Sequence, residues 1–260
     1  MNNMSRTPQE GPEIIKQRQS FVQEIQLAPI LDMSKFVAVA PAAPAAATTV
    51  IDNGAILGFD ANNITDPQLK EDVDYSTMFA GLAASQQYDR FTDASNWYKS
   101  YVKVLSQLGW AITNFNITPY QASGSTFEID KAVLQLLQTI ASGGEVTLAQ
   151  SAMAALRSLP GKERGFYLWD STTHTAQNAN FQIGVATLSG GYVVMSIIGL
   201  YFSASQINSD FLWFSWPSSN ITLFTALQVM ELDEDVYSQV RNLVLTKLGA
   251  NSVNLLANLI

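Results

Sequence analysis

Apolar residues change their spacing once along this chain, near Gly165. Before that point they recur mostly at i, i+3, i+4 and i+7, the mark of helices with one buried face. Trp97, Tyr101, Val104, Leu105 and Leu108 make one such stripe, led by the capping candidates Asp93 and Ser95 and halted at Gly109. Val133, Leu136, Leu137 and Ile140 make another, ended by Ser142-Gly143-Gly144. Leu148, Ala152, Met153, Leu156 and Leu159 make a third, with Thr147 as its candidate cap and Pro160-Gly161 as its stop. An Ala/Leu-rich stretch over 75–86 predicts a further helix, and 234–248 predicts a last one ending at Gly249. WAITNFNIT (110–118) alternates as a strand. Residues 1–35 read as a polar arm with a short amphipathic helix near 12–25, and 36–260 as a single domain. FVAVAPAAPAAATTV (36–50) is interrupted by Pro41 and Pro44, so it reads as an extended connector opening on an edge strand. Residues 51–72 carry turn signals.

After Gly165 the period falls to two. GFYLWDS, NANFQIGVATL, GYVVMSIIGLYFSAS, SDFLWFSWP and NITLFTALQVMEL read as successive strands separated by hairpin-sized turns. A helical half followed by an antiparallel meander predicts an α+β fold, helices packed on a sheet. In the segment at 181–186, Phe181, Ile183 and Val185 alternate with Gln182, Gly184 and Ala186. The next segment does not alternate. Val193, Met195, Ile197 and Tyr201 occupy one register, and Val194, Ile198, Leu200 and Phe202 the other.

Charge sharpens this picture. Between Ser171 and Met230, sixty residues, Asp210 is the only formally charged side chain. An exposed antiparallel sheet usually carries Lys or Glu on its outer face. Two explanations follow: a central strand covered by helices on both faces, or strands that meet lipid. A membrane-crossing strand needs about 9–11 residues, and Tyr192 to Phe202 is long enough. The candidate lipid contacts are Val193, Val194, Met195, Ile197, Ile198, Leu200 and Phe202, with Trp213 and Trp216 as an interfacial aromatic pair.

Composition excludes several classes. Apolar residues make up 47% of the chain and charged residues 14%, with a net charge of -8, so a nucleic-acid partner is not expected. There is no cysteine, which removes disulfides, thiol catalysis and thiolate metal sites. No window reaches the 18 apolar residues of a transmembrane helix. The polar N-terminus lacks the apolar core of a signal peptide. His174 has no ligand-spaced partner, and Asp233, Glu234 and Asp235 suit a helix start. The glycine pairs lack a nucleotide-loop context. No catalytic, metal or cofactor site is therefore expected, and the chain reads as a non-enzyme. The sequons at Asn63, Asn116 and Asn220 matter only on a eukaryotic secretory route.

The stretch FYLWDSTTHTAQNANFQIGVATLSGGYVVMSIIGLYFSASQINSDFLWFSW resembles the C-terminal sheet of the cytolytic Cyt-type insecticidal toxins, and the order of elements over roughly 70–245 is similar. The same superfamily holds the volvatoxins and the Evf-type virulence factors. The resemblance implies a three-layer α/β/α monomer that acts at membranes as a secreted or released toxin. Its helices would swing aside, with Val133, Leu136, Leu137 and Ile140 as lid residues, and copies would assemble on the bilayer. It also implies that the N-terminal arm is a candidate for processing. The alternative within the superfamily is a virulence factor that holds a fatty acyl chain and makes no pore. With no cysteine, that acyl chain would be bound non-covalently.

Overall fold

The computed structural model describes residues 11–30, 47–52, 54–121, 124–159, 164–218, 222–249 and 256–258. The connector prolines Pro41 and Pro44, the edge strand expected near 36–40 and the sequon at Asn220 lie outside them. In chain order the elements are α1 (Pro12–Glu24), β1 (Ala47–Asp52), β2 (Ala55–Asp60), α2 (Pro67–Gln87), α3 (Ala94–Gln107), β3 (Trp110–Tyr120) and β4 (Thr126–Glu128). These are followed by α4 (Ile129–Leu137), α5 (Gly143–Ser158), α6 (Arg164–Thr173), β5 (Asn178–Ser189) and β6 (Tyr192–Ser203). A 3₁₀ turn (Phe211–Trp213), β7 (Ser215–Pro217), β8 (Thr222–Leu232), α7 (Glu234–Ser238), α8 (Arg241–Leu248) and β9 (Leu256–Asn258) complete it.

The fold is α+β in three layers. Seven strands form one sheet in the order β3-β8-β6-β5-β2-β1-β9, while β4 and β7 pair separately. The sheet is antiparallel except where β2 runs parallel to β5. β5 and β6 are joined by Gly190-Gly191, at φ +62° and +90°. A two-residue hairpin turn with both φ values positive suits a glycine pair, which carries no Cβ to clash.

One face of the sheet is covered by α2 and α3. Trp110 donates from Nε1 to Ser76 Oγ at 3.0 Å, and the Tyr98 ring lies against Gly199. Outside this layer sit α1 and α8. Arg18 donates to the carbonyls of Ser106 and Gln107 at 2.6 and 2.9 Å. Arg241 grips buried Asp72 with two hydrogen bonds, 2.8 and 2.6 Å, fastening α8 to α2. The N-terminal segment read as an arm is therefore docked over 11–30, with Val22 wholly buried. The opposite face is covered by α4 over β6, α5 over β2 and β5, and α6 over β5 and β1.

Several expectations need correction. GFYLWDS is not a strand; it is α6, in which Leu168, Trp169, Thr172 and Thr173 are buried at helical spacing. A short apolar run fits either period, and the Thr172 and Thr173 hydroxyls bond the Leu168 and Trp169 carbonyls one turn back. FLWFSWP is a 3₁₀ turn plus the short β7, paired with β4 rather than with the main sheet. The turn-rich 51–72 stretch contains β2, whose Ala55 to Phe59 are all buried and so never alternate. α5 is capped by Ser142 and Glu145 in a reciprocal box, not by Thr147. The last helix breaks into α7 and α8.

Gly199 makes the sharpest prediction of this packing. A Cβ there would lie 2.3 Å from Tyr98 Cε1. Gly199→Ala is expected to lower stability by about 2–3 kcal/mol in chemical denaturation, whereas Gly144→Ala, where an added Cβ meets only Ser142 Oγ at 3.9 Å, stays within about 0.5 kcal/mol.

Candidate functional site

Four neighbouring strands carry the charge vacuum into three dimensions. β3, β8, β6 and β5 are adjacent in the sheet, and each is 11 or 12 residues long. Glu231, next to the end of β8, is their one charged side chain. Each strand therefore has the length of a membrane-crossing strand and lacks ions along its middle.

Register separates the two faces of this ribbon. Phe181, Ile183 and Val185 of β5 sit beside Leu200, Ile198 and Ser196 of β6, which sit beside Thr225, Leu227 and Val229 of β8. This is the face under α4, α5 and α6, and it is largely apolar. The other face, under α2 and α3, brings Asn180, Gln182 and Gly184 beside Tyr201, Gly199 and Ile197, with Gln228 beyond. Asn180, Gln182 and Gln228 are all buried on this face. The Tyr98 hydroxyl donates to Asn180 Oδ1 at 2.6 Å, and burial pushes its phenol pKa well above the ordinary value. The Gln228 side-chain amide and Gln182 Nε2 have no hydrogen-bond partner among the described residues. An amide buried without partners costs about 1–3 kcal/mol. β3 has the opposite pattern, with Asn114 and Asn116 exposed on the α4 side.

The predicted contact residues are nearly all hidden in this state. Met195, Ile197, Ile198, Leu200 and Phe202 are wholly buried, Val193 is buried, and Val194 is half-buried. The helix stripe Val133, Leu136, Leu137 and Ile140 faces the core, with Val133 and Leu137 fully enclosed and Leu136 and Ile140 packed at the margin. Ser196 Oγ reaches the Ile140 carbonyl at 3.4 Å, so the end of this stripe meets β6 directly.

Aromatic side chains gather at one end of the ribbon. Trp216 is buried against Phe202, and its Nε1 donates to the Phe211 carbonyl at 3.1 Å. Phe214, edge-on to Trp216, is half exposed. Trp213 lies under the Arg157 guanidinium, 5.7 Å from its ring centre. Tyr120 and Phe127 pack at the same end. At the same end but on the opposite face of the sheet, a cavity of about 490 Å³ opens between the start of α3 and the strand ends, lined by Tyr98, Lys99, Tyr201 and Phe224 among others. Sequence reasoning missed this cavity, because its walls come from segments about a hundred residues apart.

His174 sits beside the same apolar face. Its ring tilts against Phe211 at 5.3 Å, and Nε2 lies 3.7 Å from Asp170 Oδ1. Desolvation lowers its pKa below 6.5, with the Asp170 charge opposing the shift. Among the described residues no cluster of three His, Asp or Glu could hold a metal ion, and no helix is long and apolar enough to cross a membrane.

No family model and no curated protein sequence matches the chain. Among solved structures it is similar to a delta-endotoxin, at 15% identity and a TM-score of 0.42, over 79% of this chain and 90% of that one. It is also similar to the activated Cyt2Ba monomer from Bacillus thuringiensis subsp. israelensis, at 11% identity and a TM-score of 0.38, over 64% of this chain and 94% of that one. The third is the Evf virulence factor, at 11% identity and a TM-score of 0.39, over 86% of this chain and 88% of that one. These are the groups that the sequence resembles. At such TM-scores the superpositions are partial, and the chain's activity has to come from its own residues.

The His174 environment gives a pH prediction. Its folded pKa is depressed, so the neutral ring favours the fold at pH above 6.5, and that contribution is lost as pH falls through the lower folded value. Denaturant titrations below pH 6.5 should show declining stability, and His174→Gln should flatten that part of the profile.

Proposed function

We propose that this protein is a non-enzymatic, membrane-acting toxin or virulence protein. It is released in a soluble form and inserts through β5, β6 and β8, with β3, whose face pattern is reversed, as the edge at which copies assemble. The observation that carries this reading is the set of adjacent strands, each of spanning length, with only Glu231 charged among them. In the folded state β6 has both faces covered. A bilayer offers its apolar face a second apolar environment, so burial at about 25 cal/mol per Å² is largely retained when helices are exchanged for lipid. A charged side chain at mid-bilayer would add about 2–4 kcal/mol, and the ribbon's interior has none.

The two faces assign the parts. The side with Phe181, Ile183, Ile198, Leu200, Leu227 and Val229 would meet hydrocarbon, which makes α4, α5 and α6 the layer that leaves. The side with Asn180, Gln182 and Gln228 would meet water or a lumen, where the unpartnered amides regain hydrogen bonds. β3 is an edge strand without charge, and edges of that kind accept further strands, so copies could add there on a membrane.

A lock tests the reading. The chain has no cysteine of its own, so Ile140→Cys with Ser196→Cys creates a unique disulfide where the Ser196 hydroxyl already reaches the Ile140 carbonyl. The wild type is expected to release dye from zwitterionic liposomes, the oxidised pair to release none, and reduction to restore release. Full leakage from the oxidised protein would remove α4 as a lid. A wild type that leaves vesicles intact while co-purifying with a fatty acid by native mass spectrometry would favour a lipid-binding virulence factor that never inserts. Ile198→Lys is a poor probe, because Ile198 is wholly buried and the soluble fold would fail first.

A further inference from the structure

We infer that the cavity beside the loop between β6 and the 3₁₀ turn binds an uncharged pyranose sugar. This goes beyond the membrane reading and stands whether or not the sheet inserts. Its starting point is Asp210, the one formally charged side chain between Ser171 and Met230. Asp210 is exposed, and it opens the 3₁₀ turn without making a capping bond to it. It stands on the wall of a cavity of about 270 Å³, lined also by Ser205, Gln206, Asn208, Phe214 and Trp216. Drug-sized sites begin near about 300 Å³, so this space suits one small ring.

The site is held from behind. Trp216 is buried against Phe202, and its Nε1 is committed to the Phe211 carbonyl at 3.1 Å. Phe214 stands edge-on to Trp216, ring centres 4.9 Å apart, and is half exposed. Backbone bonds brace the polar wall: Ala204 and Ile207 donate to the carbonyls of Gln177 and Ala176 at 3.0 and 2.8 Å, and Phe211 donates to that of Asn208 at 2.9 Å. Buried Ile207 anchors the loop, while Ser205, Gln206 and Asn208 stay exposed. Little backbone ordering is left for a ligand to impose, which lowers the cost of binding.

The chemistry of the wall selects the ligand. An aromatic face is electronegative and meets the C–H groups of a sugar ring favourably. A carboxylate accepts from hydroxyls in charge-assisted bonds. Ser, Asn and Gln side chains both donate and accept, as sugar hydroxyls do. Gln206 Nε2 reaches Asn208 Oδ1 at 3.4 Å, an exposed contact that leaves the pair further donors and acceptors. An anionic sugar would face Asp210, and no described Lys or Arg lines the wall to offset that charge. A bare ammonium would use Asp210 and the Phe214 ring but give the carboxamide donors nothing to bond. An uncharged ring bearing hydroxyls uses all three chemistries.

The test is saturation-transfer NMR on the full chain with methyl glucoside, methyl galactoside, methyl mannoside, glucuronate and lysine amide. At least one neutral glycoside is expected to bind, with transfer strongest to the protons of one ring face, while glucuronate and lysine amide show none. Asp210→Asn and Phe214→Ala should each weaken that glycoside by about tenfold. Both side chains are exposed, so the unliganded melting temperatures should not move. Binding of the same sugar on albumin, or on a glycolipid in phosphatidylcholine vesicles, supports the site and tells whether protein or lipid presents it. The absence of transfer to every neutral glycoside overturns the inference, as does transfer that both variants leave intact. Preferential binding of lysine amide, lost in Asp210→Asn, overturns it in favour of a basic peptide side chain. Glucuronate binding as tight as the neutral glycosides overturns it too.

Discussion

Burial of β6 on both faces is the constraint on which the rest of this structure depends. A strand with Met195, Ile197, Ile198, Leu200 and Phe202 all enclosed cannot lie on a surface. It needs neighbours on both sides and a layer above and below. β5 and β8 supply the neighbours, and two helix layers supply the cover. The helices themselves are ordinary amphipathic elements; most of their stability in place comes from the sheet they cover. Remove the sheet and neither layer has a partner for its apolar stripe.

The two layers are attached differently. The α2–α3 side is tied by directed polar contacts: Trp110 to Ser76, Tyr98 to Asn180, and outside them Asp72 to Arg241. The α4–α5–α6 side rests on apolar packing, with Ser196 to the Ile140 carbonyl as a long polar contact at 3.4 Å. Hydrogen bonds in a dry interior are lost outright when a layer lifts, unless water or another partner replaces them. Apolar contacts can be replaced by lipid without such a loss. The layer over the apolar face is thus the one whose departure a bilayer can compensate.

Much of this was legible along the chain, and the failures have physical causes. The meander from Asn178 to Leu232 and the helical stripes at Trp97, Val133 and Leu148 follow period alone. The charge vacuum marked the ribbon without revealing its faces, because register decides which residues share a side. Gln182 alternates with Phe181 and Ile183 as on a strand covered on one side, but here α3 covers the polar set too. α6 and β2 were misread because short, fully buried runs carry no alternation. The cavity beside α3 was beyond reach, since Lys99, Tyr201 and Phe224 meet only through tertiary packing.

Gln228 and Gln182 are two buried polar residues that ordinary stability does not explain. The Gln228 amide and Gln182 Nε2 lie in the interior without partners among the described residues, where Leu or Val would fit the soluble state better. Polar groups of that kind are tolerated when another state uses them. On this ribbon they share the face of Asn180 and Gly199, opposite Phe181, Ile198 and Leu200. That arrangement has one apolar side and one amide-bearing side, as a strand between hydrocarbon and water requires. The soluble fold hides the distinction by covering both sides; only a medium that differs between the two faces would make use of it.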